Sequence, residues 1–186
     1  MSTVFYLLPA LSTEEKICSL RREFEHLRHH VFVQRMGWER SSDRDGHDPY
    51  ADYAVAIQNG EIIKGCRLIA RGIAGKLPIE HFLDPNQAID PQGIEVSRLA
   101  GQGTKCYGFY GFLLDYLIEQ GYSTIYMIIR ERLLKMFESK GPQCYQRLVG
   151  SPMERNGKKG RELFFPAMIS VTGMQKITEF LDCFED

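Results

Sequence analysis

The first regular pattern along the chain is a short apolar run, Val4 to Leu8, which reads as a strand. Ser12 and Glu15 then stand at the spacing of a capping box, and Ile17, Leu20, Phe24, Leu27 and Val31 recur at intervals of three and four. That period predicts an amphipathic helix from Ser12 to about Gln34, with Gly37 as its stop. Arg40 to Pro49 is polar and loop-like. Two β-rich runs, Ala51 to Ile57 and Ile62 to Ala70, flank Asn59-Gly60, a pair that suits the positive φ angles of a type I′ hairpin turn. Gly72, Gly75, Pro78, Pro85, Pro91 and Gly93 break the next stretch into an irregular excursion, with room for a short helix around Ile79 to Leu83.

The second half alternates more regularly. Ile94 to Ala100 reads as a strand, and Gly101 and Gly103 open a loop. Tyr107 to Gln120 is apolar enough for a helix buried against a sheet, with Gly121 as its cap. Ser123 to Ile129 is a strand, and Arg130 to Lys140 a helix ended by Gly141-Pro142. Cys144 to Val149 and Leu163 to Val171 are further strands. Met174, Ile177, Leu181 and Phe184 mark a last amphipathic helix. The order β-α-β-β-excursion-β-α-β-α-β-β-α predicts an α/β fold, a mixed sheet with helices on both faces. No repeat or linker divides residues 1–186, so a single domain is expected.

Composition narrows the function classes. With 186 residues, 44% hydrophobic and 25% charged, the chain can bury a core without a disulfide or metal staple. A net charge of −1 gives no reason to expect a nucleic-acid partner. No apolar run approaches the ~18 residues of a membrane span. The short apolar N-terminus lacks the basic flank of a signal peptide. The five cysteines are scattered without a C-x-x-C pair, which suggests thiols in a reducing cytoplasm rather than a zinc site or disulfide framework. The charge is uneven. Residues 130–161 hold nine basic residues against three acidic ones, net +6, and the rest of the chain is −7. Such a segment suits an acidic partner, or is simply a solvated surface.

Three features stand out as chemistry. The acidic loop Asp43-Arg44-Asp45-Gly46-His47-Asp48 reads as a solvated turn, since Asp and Gly are good turn residues, with a metal loop as the sharper alternative. A calcium loop is excluded: with Gly46 at the sixth position, Ser41 stands first and Asp52 twelfth, where Asp and Glu are required. Arg67 lies in the strand run 62–70, sharing a face with Ile63 and Ile69, and needs an acidic partner there; the 43–48 loop is the nearest supplier. Glu95 shares a face with Ser97 and Leu99, with Val96 and Arg98 opposite. It is either an edge-exposed carboxylate or a general base lining a cleft. Arg28 and Phe32, one helical turn apart, and Trp38 beyond them supply a charge and two aromatic walls, or in the aromatics' case core packing.

Taken in order, Leu27-Arg28-His29-His30-Val31-Phe32, Gly37-Trp38, Asp43-x-Asp45-x-x-Asp48, Gly65-Cys66-Arg67-Leu68 and Glu95-Val96-Ser97-Arg98-Leu99 resemble the acyl-homoserine-lactone synthases, the autoinducer synthases of bacterial quorum sensing. The resemblance covers roughly residues 24–100, and its ordered set, not any one piece, is specific. It implies a GNAT-like fold, which the element order fits independently. It also implies an acyltransferase that joins an acyl group from acyl carrier protein to the α-amine of S-adenosylmethionine. Lactonisation then expels methylthioadenosine. By that resemblance Glu95, Asp45 and Arg98 are catalytic positions, and Arg28, Phe32, Trp38, Asp43, Asp48, Arg67 and Ser97 bind substrate. Asp43 stands where the family usually has Glu, and Leu99 where Phe is common.

S-adenosylmethionine enters as co-substrate, with no prosthetic group and no metal. Acyl carrier proteins are acidic, so Arg130, Arg132, Lys135, Arg155, Lys158 and Lys159 become a docking face. Leu113, Leu117, Ile125, Met127, Ile129 and Phe137 are candidate acyl walls or plain core. Ile128-Ile129-Arg130 lacks the hydroxyl with which some members meet a 3-oxo group, favouring an unsubstituted or unusual chain. A cytoplasmic bacterial monomer is expected. The competing reading is a GNAT-type N-acyltransferase that uses an acyl thioester and another amine, such as an amino acid. Arg98-Leu99-Ala100-Gly101-Gln102-Gly103 matches the R-x-x-G-x-G loop that cradles a pantetheine pyrophosphate. A third reading is a non-catalytic module that binds carrier protein or a small ligand, in which Glu95 is dispensable.

Overall fold

The structure, a computed structural model, describes residues 2–40, 43–102, 106, 108–140, 145–148, 150–175 and 178; at 73, 136–140 and 145–147 it describes the backbone alone. One eight-stranded mixed sheet carries the chain. Strand β1 (Thr3–Leu8) pairs antiparallel with β2 (Asp52–Gln58), β2 with β3 (Glu61–Ala70), and β3 with β4 (Gly93–Gly101). β4 runs parallel to β5 (Thr124–Arg130), and β5 pairs antiparallel with β8 (Gly160–Ser170). β6 (Tyr145–Arg147) and β7 (Met153–Gly157) share the far edge of β8. β7 was not foreseen: its one large apolar residue, Met153, sits among Glu154, Arg155 and Asn156, a composition poor in strand formers.

Helix α1 (Glu15–His29) covers one face of the sheet. It begins two residues later than the capping box suggests, because Ser12 Oγ accepts only the Glu14 N–H (3.3 Å) and the N-cap position falls to Glu14, whose side chain makes no capping bond. Its last turns widen to a π-helix over His30–Arg35, which ends at Gly37, φ +75°. Short α2 (Arg71–Ala74) and a 3₁₀ turn, Pro78–Phe82, organise the excursion. Helix α3 (Phe109–Glu119) packs on the opposite face, ending before Gly121 at φ +74°. α4 (Glu131–Lys140) comes directly after β5. Residues 171–175 are helical; Ile177, Leu181 and Phe184 of the expected last helix, like Cys144 and Cys183, lie outside the described residues. Two buried clusters result. One lies between sheet and α3 (Phe109, Leu113, Leu117, Ile125, Ile169), the other between sheet and α1 (Leu20, Phe24, Leu27, Tyr53, Val55).

Two register breaks decide which residues face which layer. The β2–β3 turn has the expected positive φ at Asn59 (53°) and Gly60 (83°). Ala56 then opposes Lys64 while Ile57 opposes Ile62, so Ile63 is an extra residue. A bulge of this kind inverts the alternation of side chains. Ile63 therefore packs in the α3 layer and Ile69 in the α1 layer, which corrects the expectation that both share a face with Arg67. The second break is on β4. Gly65 opposes Ala100 but Arg67 opposes Ser97, leaving two residues, Arg98 and Leu99, against Cys66. Arg98 takes a left-handed backbone, φ +54°, rare for a residue with a side chain.

β4 and β5 pair only at Gly93–Thr124, Ile94–Ile125 and Glu95–Tyr126. Beyond Glu95 the two strands keep different neighbours, β4 staying with β3 and β5 with β8. The sheet opens there into a cleft of about 760 Å³.

Candidate active site

The cleft is reached from both layers. On the α1 side Phe32, Trp38, Asp45, Arg67, Arg98, Arg155 and Phe164 line it; on the α3 side Tyr110, Leu113, Met127, Ile129 and Met174 do. Its polar wall is built from the acidic loop. Asp45 Oδ1 accepts the His47 N–H (3.0 Å) and Asp48 Oδ2 accepts the Asp45 N–H (3.0 Å), so the Asp-rich segment folds on its own side chains. Asp48 then opens a single 3₁₀ turn, Asp48–Tyr50, leading into β2.

Three arginines bind this loop. Arg28 Nη1 donates to Asp48 Oδ1 (2.7 Å) and to the Tyr53 hydroxyl (3.3 Å), its Nε to Asp43 Oδ1 (3.2 Å), and its Nη2 to the Asp43 carbonyl. Arg67 Nη1 donates to Asp45 Oδ1 (2.7 Å) and Asp48 Oδ1 (3.2 Å), and its Nε to Ser97 Oγ (3.2 Å). Arg98 Nη2 donates to Asp45 Oδ2 (3.1 Å) and its Nε to the Asp43 carbonyl (3.2 Å). The left-handed bulge turns Arg98 toward the loop on the α1 side, whereas sequence alternation alone sets it opposite Glu95.

Arg28 and Arg67 are 0% and 1% exposed, so their charges are affordable only because carboxylates meet them. Burial alone would raise the Asp48 carboxyl, but the hydrogen bond and charge of Arg28, with Arg67, hold it well below the usual carboxylate range. Asp45 is lowered against its own burial chiefly by Arg67. Burial, with the charges of Arg67 and Arg28, pushes Arg98 down to about 10.

Glu95 is 1% exposed, which rules against an edge position. Its Oε2 accepts the Ile79 N–H (2.7 Å), so the 3₁₀ turn of the excursion holds it. Burial pushes its carboxyl up; Arg67, that N–H, Ser97 and Arg98 oppose the shift without cancelling it. A carboxyl so placed on a cleft wall is a candidate general base.

The structure sorts the expected site residues into two ranks. Phe32, Trp38, Asp45, Arg67, Glu95, Ser97 and Arg98 line the cleft. Arg28, Asp43 and Asp48 do not; they stand behind the wall and hold Asp45, Arg67 and Arg98. The basic segment also divides. Arg130 and Arg155, expected on an outer docking face, line the cleft instead, because β5 and the unforeseen β7 carry them there. Their guanidiniums lie 5.6 and 5.1 Å from the centre of the Trp38 ring. Lys158 is exposed but tethered, Nζ donating to the Gln34 carbonyl (2.6 Å). Arg132, Lys135 and Lys159 remain exposed.

Of the candidate acyl walls, Leu113, Met127 and Ile129 line the cleft, whereas Leu117 and Ile125 are fully buried core. The side chain of Phe137 lies outside the described residues, as does Gly103 of the R-x-x-G-x-G pattern. Met36, Met153 and Phe164 complete the aromatic end of the cleft and were missed, having no periodicity of their own to mark them. Among the described residues no group of three His, Cys, Asp or Glu side chains is placed to hold a metal, and no helix is long and apolar enough to cross a membrane.

No protein-family model and no curated protein matches the sequence. Solved structures do match. The AHL synthase LasI superposes with a TM-score of 0.70 at 20% identity, over 91% of this chain and 90% of that one. BjaI, a CoA-dependent acyl-homoserine lactone synthase solved with SAM and isopentyl-CoA, gives 0.69 at 17% identity, over 96% and 89%. TofI, in a ternary complex with an inhibitor and MTA, gives 0.67 at 18% identity, over 94% and 97%. What this chain shares with them at such identities is the architecture: a GNAT-like α/β fold.

Proposed function

We propose that the protein is an acyl-homoserine-lactone synthase, a single-domain bacterial acyltransferase that acylates S-adenosylmethionine and releases methylthioadenosine. The observation that carries the reading is the joining of Asp45, Arg67, Arg98 and buried Glu95 on one wall of a cleft that opens between β4 and β5. The names of LasI, BjaI and TofI, and the SAM and MTA bound in two of them, support it.

In this reading the sulfonium substrate occupies the α1 side of the cleft, against Phe32 and Trp38, and the acyl chain the apolar α3 side. Glu95 accepts a proton from the α-ammonium, directly or through one water. The freed amine attacks the thioester carbonyl, and the tetrahedral intermediate collapses to an amide as the C–S bond breaks, the departing sulfur taking up the second proton that the nitrogen sheds. The methionyl carboxylate oxygen then attacks its own γ-carbon. The C–S⁺ bond breaks with its electron pair on sulfur, giving the lactone and neutral methylthioadenosine. Arg67 and Arg98 fix Asp45, which faces the substrate's positive groups. The donor arrives on acyl carrier protein at a face that includes Arg132, Lys135 and Lys159.

The test is mass spectrometry of purified protein with S-adenosylmethionine and a panel of acyl carrier protein and CoA thioesters. An acyl-homoserine lactone with equimolar methylthioadenosine is expected. An N-acyl product formed only from acyl-CoA and another amine would replace this reading with the general N-acyltransferase. Binding without turnover, unchanged in Glu95→Gln, would replace it with the module.

A further inference from the structure

Glu95 takes a hydrogen bond from outside the sheet, the Ile79 N–H at 2.7 Å. Ile79 belongs to the 3₁₀ turn Pro78–Phe82, so whatever fixes that turn also fixes the donor. The start of the turn is shaped from within its own excursion. Glu80 Oε1 accepts the Leu77 N–H (2.8 Å), and Glu80 Oε2 accepts from Arg71 Nη2 (3.2 Å). The end of the turn is fastened elsewhere. The Phe82 carbonyl accepts the Ser151 N–H (2.8 Å), and Leu83 forms an antiparallel bridge with Gly150. Residues 150 and 151 lead into β7, which β5 and β8 separate from β4 in the sheet order.

Gly150 is what lets the two backbones meet. A Cβ there would run into the Phe82 carbonyl oxygen and stand 3.0 Å from Leu83 Cα, and both are backbone atoms that cannot swing aside. Its φ is not left-handed, so the close approach and not a turn conformation requires glycine. Gly150 and Ser151 are exposed, so the contact adds little apolar burial. Both sides of it border the cleft: Pro78, His81 and Phe82 from the turn, Met153 and Arg155 from β7.

The Glu95 carboxyl is faced by the charges of Arg67 on β3 and Arg98 on β4, by the Ser97 hydroxyl and by the Ile79 N–H, with Tyr126 paired to it on β5. Burial raises it, and the first four oppose that rise. Arg67, Ser97 and Arg98 are placed by their own strands. The Ile79 N–H is placed by the turn, and hence by what holds the turn.

Resting on the synthase reading, in which Glu95 is the base, we propose that Gly150 and Ser151 are positioning residues that fasten the 3₁₀ turn and so hold the Ile79 N–H on the Glu95 carboxylate. The base on β4 is thereby set from the segment that leads into β7.

The experiment follows the Glu95 carboxyl directly, by carbon NMR titration of the full chain, its signal assigned by its loss in Glu95→Gln. Two variants undo the contact in different ways. Gly150→Ala puts a Cβ into it, and Ser151→Pro removes the N–H that meets Phe82. Each should raise the midpoint of the Glu95 titration, because the Ile79 N–H favours the ionised form. Ser151→Ala keeps its N–H and should leave the midpoint in place. In lactone formation, Gly150→Ala and Ser151→Pro should each lose about tenfold to a hundredfold in kcat/KM, with the acid limb of the pH profile moving up alongside the carboxyl. A midpoint unmoved in both variants overturns the proposal even where turnover falls, and leaves the synthase reading standing. Failure of both to fold overturns it too, since that marks the contact as scaffold; where one folds, that one decides. A raised midpoint in a protein whose wild type makes no lactone upholds the clamp on Glu95 and sinks the synthase reading instead.

Discussion

The two layers that flank the sheet are stabilised by different physics. The α3 layer is hydrocarbon: Leu113, Leu117, Ile125 and Ile169 meet with no charged side chain among them. The α1 layer holds every buried charge among the described residues: Arg28, Asp43, Arg67 and Glu95. Apolar burial is tolerant of direction, so the α3 layer fixes where the sheet lies but little about any one side chain. A buried ion pair is the reverse. It contributes little net stability, yet it punishes any geometry that leaves a charge unmet. The difference shows why site residues sit in the costlier layer: the charges hold one arrangement of the cleft wall.

The comparison breaks most sharply if one buried charge is removed. Arg28→Met should cost about 3–5 kcal/mol in chemical unfolding, because Asp43 loses its arginine and Asp48 keeps only Arg67 as an arginine partner. Leu117→Ala, in the other layer, should cost about 2–5 kcal/mol through a cavity. The two separate in function: Leu117→Ala should keep ligand affinity at a temperature where it is folded, and Arg28→Met should not. Equal retention in both would show the charged layer to be scaffold alone.

A second difference is in acid. Asp48 is held well below its ordinary range by Arg28, once burial is overcome, so its contribution is complete above its unfolded value near 3.9 and fades as pH falls toward the folded one. Asp48→Asn should therefore flatten the loss of stability below about pH 4. An acid limb as steep as that of the wild type would assign it to other carboxylates.

The smallest effect runs the other way. Glu95 has its carboxyl pushed up by burial, so ionising it weighs against the folded state as pH rises past the ordinary glutamate range. Glu95→Gln keeps the acceptor for the Ile79 N–H and sheds that charge. It should melt higher than wild type at pH 7, with the gap closing toward pH 4, while turnover falls by about 10²–10⁴-fold. A variant less stable than wild type at pH 7 would mean that Arg67 outweighs burial at this site.

The sequence showed its long-period features well. The 3,4 spacing from Ile17 to Val31 located α1, Asn59-Gly60 located the hairpin, and the need of Arg67 for a carboxylate led to the 43–48 loop. What it hid were events one residue wide. The extra residues at Ile63 and Arg98 leave no mark on composition, yet each swaps the faces of the residues beyond it in its strand. β7 was hidden because Arg155 and its neighbours read as surface charge, and only pairing with β8 turns alternate residues inward. That concealed the cleft position of Arg155, a placement no count of charges supplies.

The short pairing of β4 with β5 also bears on association. An open sheet edge is ordinarily an aggregation hazard, since its bare amides and carbonyls invite a strand from another molecule. Here the bare stretch lies in the middle of the sheet, roofed by Trp38 and Phe164 on one side and by Leu113 and Met127 on the other. The interruption thus keeps its bare backbone inside the molecule, away from the promiscuous pairing that the same backbone would invite at a rim.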